Sequence, residues 1–188
     1  MRVIAGQYRS RVLYAPPGLD TRPTSDRLRE TLFNVLAPRI EGAIFLDLYA
    51  GSGAVGMEAL SRGAAQAIFV EKAEPALRAI RTNLAALGVK DNYSVEARNA
   101  SPALKRLKET GQHLDLVFLD PPYAQENEYT ATLNLLGGEC RSVLAPGALV
   151  IAEHEKRREL DAQYGSLIRY RILKQGDAAL SFYKTESE

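Results

Sequence analysis

Cysteine is almost absent from the chain: Cys140 stands alone among 188 residues, so no intramolecular disulfide can form. The two histidines, His113 and His154, lie far apart and show no metal-ligand spacing, so no metal is expected. Long apolar runs are missing too. None reaches the roughly 18 residues that a bilayer span requires, and Met1-Arg2-Val3-Ile4-Ala5-Gly6 lacks the apolar core of a secretory signal. The expectation is a cytoplasmic protein with no membrane contact. Nor is one sign of charge in excess, because 24 basic residues face 23 acidic ones for a net charge of +1. What is present is ordinary for a folded protein, with 46% hydrophobic and 25% charged residues. The length suits one main domain with a small appendage. The charge is unevenly spread, however: residues 1–39 hold seven arginines and three acidic residues, which leaves −3 for the remainder. Such an excess either neutralises nucleic-acid phosphates or forms a solvated face.

The clearest break is Ala15-Pro16-Pro17-Gly18, followed by Arg22-Pro23-Thr24. It divides an N-terminal extension, residues 1–38, from a main domain, residues 39–188. Within the extension, Arg2 to Gly6 and Arg11 to Ala15 predict a short hairpin that must lean on the main body. Thr24 or Ser25 can then cap a helix from about Asp26 to Ala37, with Leu28, Leu32, Val35 and Leu36 as its apolar stripe. Arg27, Arg29 and Glu30 fall outside that stripe.

From Ile44 onward, strands that read as buried runs alternate with helices: Phe45 to Tyr49, Ala67 to Val70, Leu114 to Leu119 and Ala148 to Ala152. A weaker strand is expected near Tyr93 to Ala97. Helices are expected near Val55 to Arg62, Pro75 to Leu87, Pro102 to Thr110 and Tyr129 to Leu144, with Gly63 and Gly88 as stops. Leu167 to Leu173 and Ala179 to Lys184 are joined by a link too short for a crossover helix, so an antiparallel hairpin should close a mostly parallel sheet. The class is α/β.

The first strand runs into Asp47-Leu48-Tyr49-Ala50-Gly51-Ser52-Gly53-Ala54-Val55-Gly56, a formal G-x-G-x-x-G. Dinucleotide sites, S-adenosylmethionine sites and plain tight turns all share that need for glycine. Glu71, at the end of the second strand, can accept hydrogen bonds from ribose hydroxyls and serves both nucleotide readings. Asp47 separates them, because a carboxylate just ahead of the glycines repels a pyrophosphate and favours an amino group and a sulfonium. The alternative is that Asp47 only braces the loop.

After the strongest strand comes Asp120-Pro121-Pro122-Tyr123. Ligands of open α/β sheets bind beyond the carboxyl ends of the strands, which puts Asp120 in the crevice of Gly51 and Glu71. The paired prolines stiffen the segment. An exocyclic base amine is a poor nucleophile because its lone pair is delocalised into the ring. A carboxylate at Asp120 and the backbone carbonyl of Pro121 can accept its two hydrogens and aim the lone pair at a sulfonium methyl. Tyr123 would stack on the unstacked base. The competing reading is a rigid turn with an aromatic anchor.

With these segments the chain resembles the bacterial small-subunit (16S) ribosomal RNA guanine-N2 methyltransferases over nearly its whole length. The specific features are Arg2-Val3-Ile4-Ala5-Gly6, Arg22 to Leu36, Asp47 to Gly53, and Glu58-Ala59-Leu60-Ser61-Arg62-Gly63-Ala64. The resemblance implies a Rossmann-like S-adenosylmethionine-dependent methyltransferase fold with a seven-stranded, mostly parallel sheet and an antiparallel C-terminal hairpin. It implies S-adenosylmethionine as cofactor and one guanine N2 amine of ribosomal RNA as target, within an assembling small subunit, for a monomeric enzyme. It places Asp47, Gly51 and Gly53 beneath the methionine moiety, Glu71 on the ribose, and Asn99 and Ala100 near the adenine. Tyr49, Ser52 and Lys72 complete the cofactor set, Arg22 and Thr24 close over the cofactor or meet RNA, and Asp120 to Tyr123 hold the target amine. Two departures stand out. Tyr49 replaces the first glycine of the broad methyltransferase pattern, so its hydroxyl needs a partner. Asn99 stands where Asp is frequent.

Three other readings remain open. D-P-P-Y suits any exocyclic amine, including adenine N6 of DNA or RNA, although 188 residues leave little room for a DNA recognition domain. A nicotinamide oxidoreductase accounts for the glycines and Glu71 but not for the tetrapeptide. A non-catalytic RNA-binding module accounts only for the arginines.

Overall fold

The computed structural model describes residues 1–15, 25–122 and 125–185. Its centre is a sheet of eight strands in the order β3-β2-β1-β4-β5-β8-β7-β6. The parallel part comprises β1 (Ile44–Leu48), β2 (Gln66–Glu71), β3 (Tyr93–Ala97), β4 (Leu114–Leu119) and β5 (Leu144–Glu155). The antiparallel end comprises β6 (Gln163–Tyr164), β7 (Leu167–Gln175) and β8 (Ala178–Thr185). Seven strands match the expectation. The eighth, β6, is two residues long and lies at the edge, too short to leave a pattern in the sequence.

β1 pairs on one side with β2 and on the other with β4, so the order reverses there and the carboxyl ends of β1 and β4 bound a crevice. Helices α1 (Asp26–Ile40) and α2 (Ala54–Ser61) cover one face, where Leu32, Phe33, Val55, Phe118 and Phe182 share a core. Helices α4 (Ala100–Glu109) and α5 (Glu126–Gly137) cover the other, around Leu104, Val117, Tyr129 and Tyr183. Helix α3 (Glu74–Leu87) packs Ile80 and Leu84 on Phe69. Among the described residues, no helix is long and apolar enough to cross a membrane.

Ser25 caps α1, its hydroxyl accepting from the Leu28 amide at 3.1 Å. The helix runs on through Pro38 to Ile40. Helix α5 stops earlier than expected, at Gly137, and a 3₁₀ turn over Arg141–Val143 follows. The reason is close packing: a Cβ on Gly137 would lie 1.8 Å from the carbonyl oxygen of Tyr164, on β6. The glycine admits the β6 backbone, and the Ser166 amide then donates to the Gly137 carbonyl at 2.8 Å.

The N-terminal hairpin is reduced to one antiparallel bridge, Arg2 to Val12. Its anchor is α2. The Glu58 carboxylate accepts from the amides of Ile4 and Ala5, and Ser61 Oγ accepts from the Tyr8 amide. Gly6 is obligatory here, since it holds φ +81° and a Cβ would lie 1.8 Å from the Ser61 carbonyl oxygen. Arg29 corrects the sequence reading: it is fully buried rather than on the solvent face. Its guanidinium donates to the Arg2 carbonyl and to Asp26, and its Nε lies 3.8 Å from Glu58, which also pairs with Arg62 at 2.7 Å. A buried arginine is tolerated only with such partners, and they belong to the segments Arg2 to Gly6 and Glu58 to Ala64.

Candidate active site

Beyond the carboxyl ends of β1, β2 and β4 lies a cavity of about 260 Å³. Of the residues expected to hold a cofactor, Asp47, Tyr49, Gly51, Ser52, Glu71, Lys72, Asn99 and Ala100 line it, together with Asp120 and Pro122. Gly53 stands behind this wall as the N-cap of α2. Arg22, Thr24 and Tyr123 lie outside the described residues.

The floor is a chain reversal in which Tyr49, Gly51 and Gly53 adopt φ of +63°, +55° and +80°. Tyr49 therefore occupies a left-handed position, where glycine is the unstrained residue; that is the physical reason a glycine fits the pattern there. Its hydroxyl has the partners it needs, 2.7 Å from Glu128 Oε2 and 2.7 Å from Thr132 Oγ1, both on α5. Burial raises the phenol further above its ordinary range. Gly56 serves packing rather than ligand approach, because a Cβ there would lie 2.4 Å from the Phe69 ring.

Asp47 is 1% exposed and accepts from the Gly56 amide at 2.8 Å, so it caps α2 from the neighbouring strand. The bracing role set against cofactor contact is thus observed, while the residue also reaches the cavity wall. Burial pushes its carboxyl up to about 8; the Gly56 hydrogen bond opposes that rise and Glu71 adds to it. Glu71 joins the two loops: one oxygen accepts from Gly51 N–H at 2.9 Å, the other from the amides of Lys72 and Ala73 at 2.7 and 2.8 Å. In this arrangement a ribose hydroxyl would meet an oxygen already holding a backbone amide. Asn99 is the exposed N-cap of α4 and makes no side-chain cap bond, which leaves its amide available to a ligand.

Asp120 follows β4, and the register Asp47 to Phe118 puts Asp47 and Asp120 on one face of the sheet. Leu119 pairs with Ala152, so the next position brings Glu153, 3% exposed, beside Asp120. Burial, then Glu153, then Asp47 hold the Asp120 carboxyl well above the ordinary carboxylate range. Pro121 is buried, and its carbonyl lies 3.4 Å from the Tyr129 hydroxyl, which sits nearer, at 3.0 Å, to the Glu153 carbonyl. One hydroxyl hydrogen favours the shorter contact, and a carbonyl has two lone pairs, so the Pro121 oxygen retains accepting capacity.

Sequence reasoning missed four contributors. Glu128 and Thr132 hold Tyr49, and their i, i+4 spacing on α5 was the available signal. Met1 and Ala15 form a wall of the cavity through the N-terminal arm. Asn83 holds that arm in place, bonding both backbone groups of Tyr14 at 2.7 and 2.8 Å and the Ser52 carbonyl at 3.1 Å. Nothing in the sequence marks Asn83 apart from any polar helical residue.

The donor set fits S-adenosylmethionine. Asp47, Glu71, Asp120 and Glu128 face the cavity against Lys72 and Arg98, an acidic surface suited to a sulfonium and an ammonium and hostile to a pyrophosphate. Among the described residues, no group of three His, Cys, Asp or Glu could hold a metal.

The family model for conserved hypothetical protein 95 matches residues 1–184. Ribosomal RNA small subunit methyltransferase D of Escherichia coli K12 is 38% identical over 188 residues, 100% of this chain and 91% of that protein. The solved structure of the YhhF protein from Escherichia coli is 37% identical, covers 100% of this chain and 99% of that one, and superimposes with a TM-score of 0.84. At 17% identity and a TM-score of 0.60, a SAM-dependent methyltransferase structure from Agrobacterium tumefaciens shows likeness of fold, over 85% of this chain and 61% of that one. The architecture is the Rossmann-like methyltransferase fold, and the chain belongs to the conserved hypothetical protein 95 family, together with its ribosomal RNA small subunit methyltransferase D relatives.

Proposed function

We propose that this protein transfers a methyl group from S-adenosylmethionine to the exocyclic N2 amine of a guanine in small-subunit ribosomal RNA, within an assembling subunit. The observation that carries the reading is the opening of Asp120 into the same acidic cavity as the glycine loop of β1. S-adenosylmethionine, when bound, supplies an electrophilic methyl on a sulfonium. Asp47, Tyr49, Gly51, Ser52, Gly53, Glu71, Lys72, Asn99 and Ala100 hold and orient it. Asp120 and the Pro121 carbonyl accept the two amine hydrogens, which localises the nitrogen lone pair. As nitrogen bonds to the methyl, the S–C electron pair returns to sulfur and the nitrogen loses a proton. The neighbours that raise the Asp120 pKa make it the better acceptor of that proton.

The test is methyl transfer from labelled S-adenosylmethionine into immature small subunits, followed by digestion to nucleosides. N2-methylguanosine is expected; N6-methyladenosine would overturn the guanine assignment. Asp120→Ala should lower turnover on the order of 10²-fold or more while S-adenosylhomocysteine affinity, read by calorimetry, stays within threefold of the parent. Loss of cofactor binding alongside transfer would contradict the assigned role.

A further inference from the structure

The arginine-rich arm is not the only basic region. Residues 156–184 hold seven Lys and Arg against three acidic residues, while residues 40–155 between the two regions carry −5. The fold gathers this second excess at the edge of the sheet that bears Asp120. β5 extends past the level of Asp120, and Lys156 and Arg157 begin the turn that follows it. Three residues beyond the Asp120 level is a rise of about 10 Å. The Lys156 amide donates to the Asp177 carbonyl at 2.8 Å, which ties this turn to the β7–β8 hairpin. Lys174 pairs with Ala179, and Ala179 with His154, so Lys174 stands at the same end of the sheet.

These cations differ from those elsewhere. Arg78 and Arg81 pair with Glu74, Arg98 and Arg106 with Glu96, and Lys105 with Glu139. Lys156, Arg157 and Lys174 are exposed, and none has an acidic partner within 4 Å among the described residues. Their neighbours add to the field: burial first, then Arg169, Arg158 and Lys174, hold the His154 imidazole below its ordinary range, against a hydrogen bond to the Glu155 carbonyl. Cations of three separate segments thus converge on one spot. Left unneutralised, they call for a polyanion. A nucleotide whose base sits at Asp120 carries its phosphate outward, past the strand tips, to the height of this ridge.

We infer that Lys156, Arg157 and Lys174 form a phosphate-binding ridge that carries the RNA strand flanking the target nucleotide, on the β5 side of the cavity. The inference rests on the RNA-methyltransferase reading above. Phosphate contacts position a strand without reading its sequence, and their number sets the salt dependence of binding.

The test uses the full-length Lys156→Gln, Arg157→Gln, Lys174→Gln triple variant and a fluorescent 20-nucleotide single-stranded RNA, titrated from 50 to 300 mM salt. At about 0.7 per lost contact, the slope of log K against log salt should shrink by about 2, and affinity at 0.15 M salt should fall on the order of 50-fold. Affinity for S-adenosylhomocysteine and the melting temperature should not move. On immature subunits KM should rise while kcat holds. A control variant that removes three cations with partners elsewhere, Arg78→Gln, Arg81→Gln, Lys105→Gln, should keep most of the parental slope. Equal losses in both variants, or a ridge variant within twofold of the parent, would overturn the ridge. So would a ridge variant that loses subunits but keeps the oligonucleotide, since that outcome identifies a protein contact. Should the parent itself move no methyl into any RNA, the functional reading falls instead.

Discussion

Asp47 offers the sharpest physical test, because its carboxyl is buried at 1% exposure and pushed up to about 8 in the ligand-free protein. In the unfolded chain it titrates near the model value of 3.8. The folded pKa is raised, so the stability linked to this group is fully present below about pH 3.8 and is lost as pH rises toward 8. Each unit within that window removes about 1.4 kcal/mol. Between pH 5 and pH 8 the parent should therefore lose about 4 kcal/mol through Asp47, a large share of a typical domain's 5–15 kcal/mol. Asp47→Asn keeps an oxygen to accept the Gly56 amide and removes the titration. The quantity to measure is the stability of Asp47→Asn minus that of the parent, from urea unfolding at pH 5, 6, 7 and 8. It should climb by about 4 kcal/mol across the series. Asp120 works in the same direction, because the Asp47 charge helps raise its pKa. Saturating S-adenosylmethionine should flatten the slope of the parent, since its cations favour the ionised carboxyl. Parallel stability curves for parent and variant would refute the reasoning, whatever their separation.

Two further outcomes follow from the packing. Gly6→Ala forces a Cβ against the Ser61 carbonyl at a backbone position that disfavours it; it should destabilise the protein by about 2 kcal/mol or more, and limited proteolysis should then cut within the first 15 residues. Tyr49→Phe removes a hydroxyl shared by Glu128 and Thr132 and should lower stability by about 1 kcal/mol in thermal denaturation. The floor of the cavity survives that change, so S-adenosylhomocysteine affinity should stay within threefold; a tenfold loss would mean that the contact to α5 holds the glycine loop open for the cofactor.

Much of the site was legible because its signals are local. A carboxylate, three glycines and a strand-to-helix transition lie within ten residues of one another, and Asp120-Pro121-Pro122-Tyr123 follows the most apolar strand. Element order was equally legible, since buried parallel strands read as unbroken apolar runs. Less of the N-terminal region could be read, and Arg29 shows why. Local periodicity puts it on the outer face of α1, whereas its burial depends on the Arg2 carbonyl, Asp26 and Glu58, two of them supplied by other elements.

The chain by itself determined the class of fold, the strand tips at which a ligand would sit and the kind of chemistry those tips bear, because each depends on residues adjacent in sequence. Only the tertiary structure decided that Asp47 caps α2 from across the crevice, that Asn83 ties the arm to the glycine loop, that Tyr49 is held by α5, and that Lys156, Arg157 and Lys174 gather on one edge. Those relations join residues far apart along the chain. Their energies arise from burial and from charges brought close together, which no linear pattern records.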